Sequence, residues 1–391
     1  MIFCSNNLVF FLFPLVQLVG FTSVAALPAA SQPSCTDITI PVSLTAENTN
    51  IPSDLSILNV TALLDAIQDI SYTVPVDGTF NIAATYCEPG GSAAPDVLQI
   101  LVHGGTYARS FWAGDGGPID GYNGSTYSWV AYALSQGYAT LAIDRLGNGD
   151  SDHPDPVQIV QIPIHVETIH EIVLAARAGN APFPRSFSTI IYVGHSVGSA
   201  VGNQFNGKYP TDVDATILTG YSIQLSPDIA QGVLATQPLP AATAQPSRYA
   251  SLDSGYLEFT VKNVTELAFF YPGGFDPSLF DLDYSIRGTV SIGEIVTLFT
   301  SIAPVPAYTA PIMLITGQHD ALMCSNEDNL SLPPDCGSQD TGLLAQTGAL
   351  YPNSGGYEWY APPNSGHCWQ LHYDALVTFG VAHDWLVKNG F

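Results

Sequence analysis

The chain has 391 residues, 46% of them hydrophobic and only 11% charged, so it can fill a large interior and has few charges to hold a segment unfolded. Its 34 Asp and Glu against 9 Lys and Arg leave a formal charge of −25, which makes nucleic acid a poor partner, because phosphate binding needs clustered bases. The same surface repels anionic substrates, and it either keeps the protein soluble or suits a secreted protein working in acidic surroundings.

In chain order the first element reads as an export signal over residues 1–26, an apolar run from Leu8 to about Val19 followed by small residues ending at Val24-Ala25-Ala26. Pro14, Gln17 and Gly20 interrupt the run, and no basic residue flanks it as in an anchor. Sequons at Asn59, Asn123, Asn263 and Asn329 agree with secretion into the extracellular space. "DITIPVSLTA" and "GTFNIAATYCEP" alternate like edge strands, with a helical "VTALLDAIQDI" between them. "VLQILVHGG" is a strand covered on both faces. "YSWVAYALSQG" is a helix stopped by Gly137, "ATLAIDRLGNGDSDHP" a buried strand entering a glycine-rich turn, and "IPIHVETIHEIVLAARAG" a helix stopped by Gly179. "TIIYVGHSVGSAVGNQF", "ATILTGYS", "IMLITGQHD", "YEWYAPPNSGH" and a final helix "DALVTFGVAHDWLVKNG" complete the series. Strands alternating with long helices predict an α/β fold, a mostly parallel central sheet with helices on both faces. Ligands of such sheets sit at the carboxyl ends of the strands, where Gly104, Asp144, Ser196, Asp320 and His367 all fall.

Gly194-His195-Ser196-Val197-Gly198 lies where a strand gives way to a helix. A serine hydroxyl is a weak nucleophile that needs a base nearby, and a sharp strand-to-helix turn thrusts it into a cleft while the new helix aims its free amides at the reacting centre. Small residues relieve the crowding that such a turn creates. With this G-x-S-x-G elbow, "DRLGNGDSDHP" and candidate partners in the order Ser, Asp, His, the chain resembles the α/β-hydrolase family from the "HGG" near 103 to the last helix, and looks like its secreted, fungal-type esterase or lipase-like members. The resemblance implies Ser196 as nucleophile, Asp320 of "ITGQHD" as the acid and His367 of "NSGHCW" as the base. It implies the amides of Val197 and of Gly105, with Thr106 as neighbour, as oxyanion donors. The rivals are Ser196 as a mere helix cap, Asp328 and Asp335 for the acid, and His372 and His383 for the base. His103 is expected to order its own turn, and Asp144 with Arg145 to form an internal pair. "HEIVL" at 170 lacks the second His of a zinc helix, and His165 lies off that face, so no metal is expected there.

From about 222 to 310 the pattern breaks into a segment rich in Tyr, Phe and Pro, too long for a simple loop. In the family this place holds a lid, so residues 27–391 read as one hydrolase domain with a lid insertion. Phe269, Phe270 and Tyr271 either wall an apolar pocket or form the insertion's own core. Five cysteines follow the signal, and the sequence leaves their pairing open; spacing favours Cys324 with Cys336 and Cys35 with Cys87, leaving Cys368 as a packing thiol beside His367. The expected activity is hydrolysis of a small, neutral, largely apolar carboxylic ester through an acyl-serine, with no cofactor, no metal and no membrane insertion once the signal is removed. Arg109 is the one cation expected near the pocket mouth. The alternatives are acyl transfer, cyclisation or a lyase step with the same triad, and a non-catalytic binding protein on this fold.

Overall fold

The computed structural model describes residues 32–53, 55–57, 59–68, 72–91, 96–224, 233–298, 301–324, 335–337 and 340–391, with Met1. Apart from Met1 the expected signal lies outside them, as do Asp328 and the sequon at Asn329. Two 16-residue strands, β1 (Ser34–Thr49) and β2 (Thr73–Glu88), flank the helix α1 (Val60–Gln68) and run antiparallel from Ser34 opposite Glu88 to Thr49 opposite Thr73. Alternation decides their faces: Ile40, Val42, Leu44 and Ala46 are buried while the residues between them are exposed.

There follow β3 (Val97–Val102), helix α2 (Trp129–Ser135), β4 (Ala139–Ile143), helix α3 (Ile162–Ala178), β5 (Thr189–His195), helix α4 (Val197–Lys208) and β6 (Ala215–Thr219). The insertion carries β7 (Pro238–Pro240), β8 (Tyr256–Phe259), helices α5 (Lys262–Phe269) and α6 (Pro277–Ile286), β9 (Val290–Ser291) and helix α7 (Ile292–Leu298). β10 (Ile312–Ile315), β11 (Tyr357–Tyr360) and helix α8 (Ala375–Lys388) close the chain.

The main sheet has the order β1-β2-β4-β3-β5-β6-β10-β11, with β4 through β11 mutually parallel and β1 and β2 antiparallel to their neighbours. This is the mostly parallel sheet expected from the sequence. One expectation is corrected: of the first two strands β1 alone lies at an edge, because β2 also pairs with β4 from Ala84 opposite Ile143 to Cys87 opposite Thr140. The alternation of β2 lapses into the buried run Ile82–Cys87 over that half, as pairing on both sides requires. Period-2 geometry divides the strands between two cores. Leu98, Ile100, Ile190 and Tyr192 pack with α3 and α4, whereas Leu101, Ile191 and Val193 pack with α2 and α8 on the other face.

β3 connects leftward to β4, and the chain then crosses back to β5 on the other side of β3. The strand order therefore reverses between β3 and β5, and the crevice outside their carboxyl ends is where such a sheet opens to a ligand. Over that crevice the insertion builds a small antiparallel sheet, β7-β8-β9, with its helices around it. Disulfides join Cys35 to Cys87 and Cys324 to Cys336, and Cys368 is a buried free thiol, the pairing that spacing favours.

Candidate active site

β5 delivers Ser196 to the crevice in a backbone conformation of φ 53° and ψ −114°, which a side-chain-bearing residue rarely adopts. The surrounding packing maintains it. The Ser196 amide donates to Thr219 O at 2.9 Å, and Ser199 Oγ donates to the same carbonyl at 2.8 Å, fastening the turn to β6. A Cβ on Gly194 would lie 2.7 Å from Gly198 O, and one on Gly198 would lie 2.2 Å from Val102 O, so glycine is obligatory at both positions. From 190 to 203 every residue is buried except Ser196. Its side chain does not cap α4, which removes the reading of Ser196 as a plain helix cap.

Asp320, five residues beyond β10, is fully buried and uses both carboxylate oxygens. Oδ1 accepts from the Leu322 and Met323 amides at 2.9 Å each, and Oδ2 meets Nδ1 of His367 at 2.7 Å. These bonds fix the imidazole with its Nδ1 proton on Asp320 and Nε2 available as the basic atom. Nε2 of His367 is buried and has no hydrogen-bond partner among the described residues. The rivals are otherwise engaged. His372 Nε2 accepts from the Tyr271 and Gly366 amides at 3.0 Å each, and burial pushes its pKa down to about 4. His383 rests on Phe379 O and Gln99, and Asp335 accepts from the Gly337 amide in its own turn.

Gly105 and Val197 are neighbours: a Cβ built on Gly105 would lie 3.3 Å from Val197 Cγ2. The Thr106 amide donates to Thr289 O at 3.1 Å and so is engaged elsewhere. The Val197 amide, at the first position of α4, belongs to the group that has no partner within a helix. Beside these two residues and Ser196 lies a cavity of about 70 Å³ walled by Phe259, Phe269, Val290, Ile295, Leu298 and Met323. No charged residue lines it among the described residues. Phe269 also stacks on the His367 ring, centroids 5.6 Å apart, and so joins the serine and histidine ends of the crevice.

The insertion's aromatic residues divide their work. Phe269 walls the cavity, Phe270 packs on Phe275, Phe280 and His372, and Tyr271 stacks on His319. Backbone bonds tie the insertion to both loops of the crevice: Gly288 N to Thr106 O on the β3 side, and Cys368 N to Phe269 O and Tyr373 N to Gly274 O on the histidine side.

Two charge assignments are corrected. Asp144 pairs with Arg109, not Arg145: it accepts from the Arg109 amide at 2.7 Å and from its guanidinium, which also meets Asp150 at 2.8 Å. Arg109 thereby turns away from the serine cavity to line a separate one of about 340 Å³ together with Asp37, Asp144 and Asp150. Arg145 instead meets Glu294 of the insertion, 149 residues away and invisible to local sequence reading. His103 orders its turn as expected, Nδ1 donating to Gly104 O at 2.8 Å. His165 and His170 bind different partners, Glu294 and Asp212, and share no site.

Sequence reading also misses a buried carboxyl pair, Asp115 in the turn after residues 109–113 and Asp283 on α6, close enough to shift each other's titration. Burial raises both, Asp115 to about 6 and Asp283 further, with mutual repulsion adding to Asp283 while Arg287 and Tyr107 oppose the rise. Tyr107 OH lies 3.1 Å from Cys368 Sγ, and burial holds that thiol in its neutral form. Acids raised on folding contribute stability that is greatest below the ordinary carboxylate range and lost as pH rises through the raised values. Asp283→Asn is therefore expected to gain in melting temperature relative to the parent as pH rises from about 4, the ordinary carboxylate range, upward. A difference in melting temperature that stays constant across that series would show that the pair holds no shared proton.

The alpha/beta hydrolase family matches residues 99–379, and the chain belongs to that family. The fold is similar to that of a thermophilic esterase from Thermogutta terrifontis with malate bound, at a TM-score of 0.53 and 12% identity over 90% of this chain and 100% of that one. It is also similar to a monoacylglycerol lipase of Paleococcus ferrophilus, at a TM-score of 0.49 and 13% identity over 80% and 99% of the two chains. Uncharacterised proteins of Mycobacterium tuberculosis and Mycobacterium bovis are 29% identical over 137 residues, 33% of this chain and 36% of each relative. The chain thus spans about a third of the length of these curated relatives.

Proposed function

We propose that the chain is a secreted serine hydrolase that cleaves a neutral, largely apolar carboxylic ester. The observation that carries this reading is the buried Asp320–His367 couple, its Nε2 unpartnered, at a crevice shared with a strained Ser196 turn and an apolar cavity. In the proposed cycle Ser196 Oγ attacks the ester carbonyl while His367 Nε2 takes the hydroxyl proton. The tetrahedral oxyanion receives hydrogen bonds from the Gly105 and Val197 amides, then collapses as His367 returns the proton to the departing alcohol. Water repeats the steps on the acyl-serine and releases the acid. Asp320 keeps the imidazole in the required tautomer and steadies its cation.

The insertion acts as the lid, and Phe269 as the wall between the acyl chain and His367. Secretion is supported by the two disulfides, which persist in oxidising compartments, and by the exposure of the sequon residues Asn59, Asn123 and Asn263. Among the described residues no helix is long and apolar enough to cross a membrane.

A fluorophosphonate probe should label Ser196, and an unlabelled wild-type protein would refute the activated serine. Along a series of p-nitrophenyl esters each added methylene should favour kcat/KM by up to ~0.8 kcal/mol. The rise should stop once the cavity walled by Phe259, Phe269 and Leu298 is filled. An ester with a remote carboxylate should be a poor substrate; were it the best of the series, a cationic site would have to replace the apolar one. Product analysis with and without an added alcohol separates hydrolysis from transfer.

A further inference from the structure

We propose that Glu294 of the insertion, acting through Arg145, is the positioning residue for the oxyanion amide of Gly105. The inference rests on the serine hydrolase reading and extends it: the insertion would complete the oxyanion site as well as cover it.

Arg145 opens the turn after β4 and is buried, 1% exposed. Its Nε donates to His103 O and its Nη2 to Gly104 O, both at 3.0 Å. Its own amide donates to His103 Nε2 at 3.0 Å, and His103 Nδ1 donates to Gly104 O at 2.8 Å. The Gly104 carbonyl is thus gripped by two donors. That carbonyl and the Gly105 N–H belong to one planar trans peptide, so fixing the direction of the first fixes the second, which points the opposite way. Two side chains that never touch a substrate therefore aim the amide.

The guanidinium is itself held by the insertion. Glu294 Oε1 accepts from Arg145 Nη1 and lies 2.9 Å from His165 Nε2, while Oε2 accepts from the Ser291 amide at 2.9 Å. Ser291 Oγ accepts from the Glu294 amide at 3.0 Å and donates to Val160 O at 2.8 Å, which anchors the start of α7. Glu294 is 1% exposed, so no solvent can replace its carboxylate beside the guanidinium. On the far side of Gly105, Thr106 exchanges both backbone bonds with the same segment, Gly288 N to Thr106 O at 2.8 Å and Thr106 N to Thr289 O at 3.1 Å. Residues 288–294 thus hold the β3 loop on both sides of the amide in question.

The test compares Glu294→Gln with the wild type on a p-nitrophenyl ester and on its thionoester, in which sulfur replaces the carbonyl oxygen. Sulfur is a weak hydrogen-bond acceptor, so a well-aimed amide favours the oxygen ester far more than the sulfur one. Glu294→Gln is expected to lower kcat on the oxygen ester on the order of 10²-fold, as loss of one oxyanion donor does, with KM little changed. On the thionoester it should lose much less, so the ratio between the two substrates collapses. Arg145→Lys, which keeps the charge but not the two-pronged grip, should collapse it likewise and serves if the first variant fails to fold. An equal loss on both substrates would reveal a general packing role and overturn the inference, as would an unchanged ratio with full activity. A wild-type protein inert to both esters and to a fluorophosphonate would instead overturn the hydrolase reading beneath it.

Discussion

Ser196→Ala is expected to lower kcat on a short p-nitrophenyl ester by about 10⁴-fold or more, with the fold and melting temperature nearly unchanged. The substitution removes only an oxygen that accepts no bond from the start of α4 and belongs to the one partly exposed residue between 190 and 203. The backbone bonds that pin the turn, Ser196 N to Thr219 O and Ala200 N to Ser196 O, survive in alanine. Without the hydroxyl no acyl-enzyme can form, and only binding and the oxyanion amides remain to assist water. The positive φ of 53° is borne by serine and alanine alike, so the strain of the turn is the same in both proteins. Steady-state rates above those of a mock purification decide the matter: near-wild-type turnover would remove Ser196 from the mechanism.

Asp320→Asn should cost about 10⁴-fold in kcat for a different reason, the wrong tautomer of His367. Both oxygens of Asp320 are committed, Oδ1 to the Leu322 and Met323 amides and Oδ2 to His367 Nδ1. In the variant the remaining oxygen stays with the two amides, which only donate, so the new NH₂ must face the imidazole. Nδ1 then has to accept, the ring proton moves to Nε2, and the nitrogen needed as base is blocked. Circular dichroism should show an intact fold, and an NMR spectrum of the imidazole nitrogens should show the tautomers exchanged. Undiminished activity would assign the acid to another residue, and Ser196→Ala/Asp320→Asn should be little worse than Ser196→Ala alone, since the two act on one step.

The parts of the molecule legible in the sequence are those in which local pattern and tertiary need coincide. Uninterrupted apolar runs identified β3, β4, β5, β6 and β10, because strands covered on both faces require them. Candidate site residues could be found at strand ends because the sheet topology brings such ends together. What escaped detection depends on contacts between distant segments. Arg145 stands next to Asp144 in sequence, but the geometry of the turn sends it to Glu294, 149 residues on, and frees Asp144 for Arg109. Asp115 and Asp283 look like two ordinary surface acids, since nothing nearby in the sequence announces that each will be buried against the other. β2 reads as an edge from the short alternation Thr79 to Ile82 at the start of "GTFNIAATYCEP", although the residues that follow in the same stretch turn mostly apolar to meet β4.

The insertion is stitched to both walls of the crevice, through Thr106 on one side and through Phe269, Gly274, Cys368 and Tyr373 on the other. A cover hinged at one rim could be traded between related enzymes as an independent cassette, carrying a new preference with it. This one could not be traded in that way. Its seams are shared with the loops that carry Gly105 and His367, so a transplanted cover would have to bring a backbone that meets both loops in the same register.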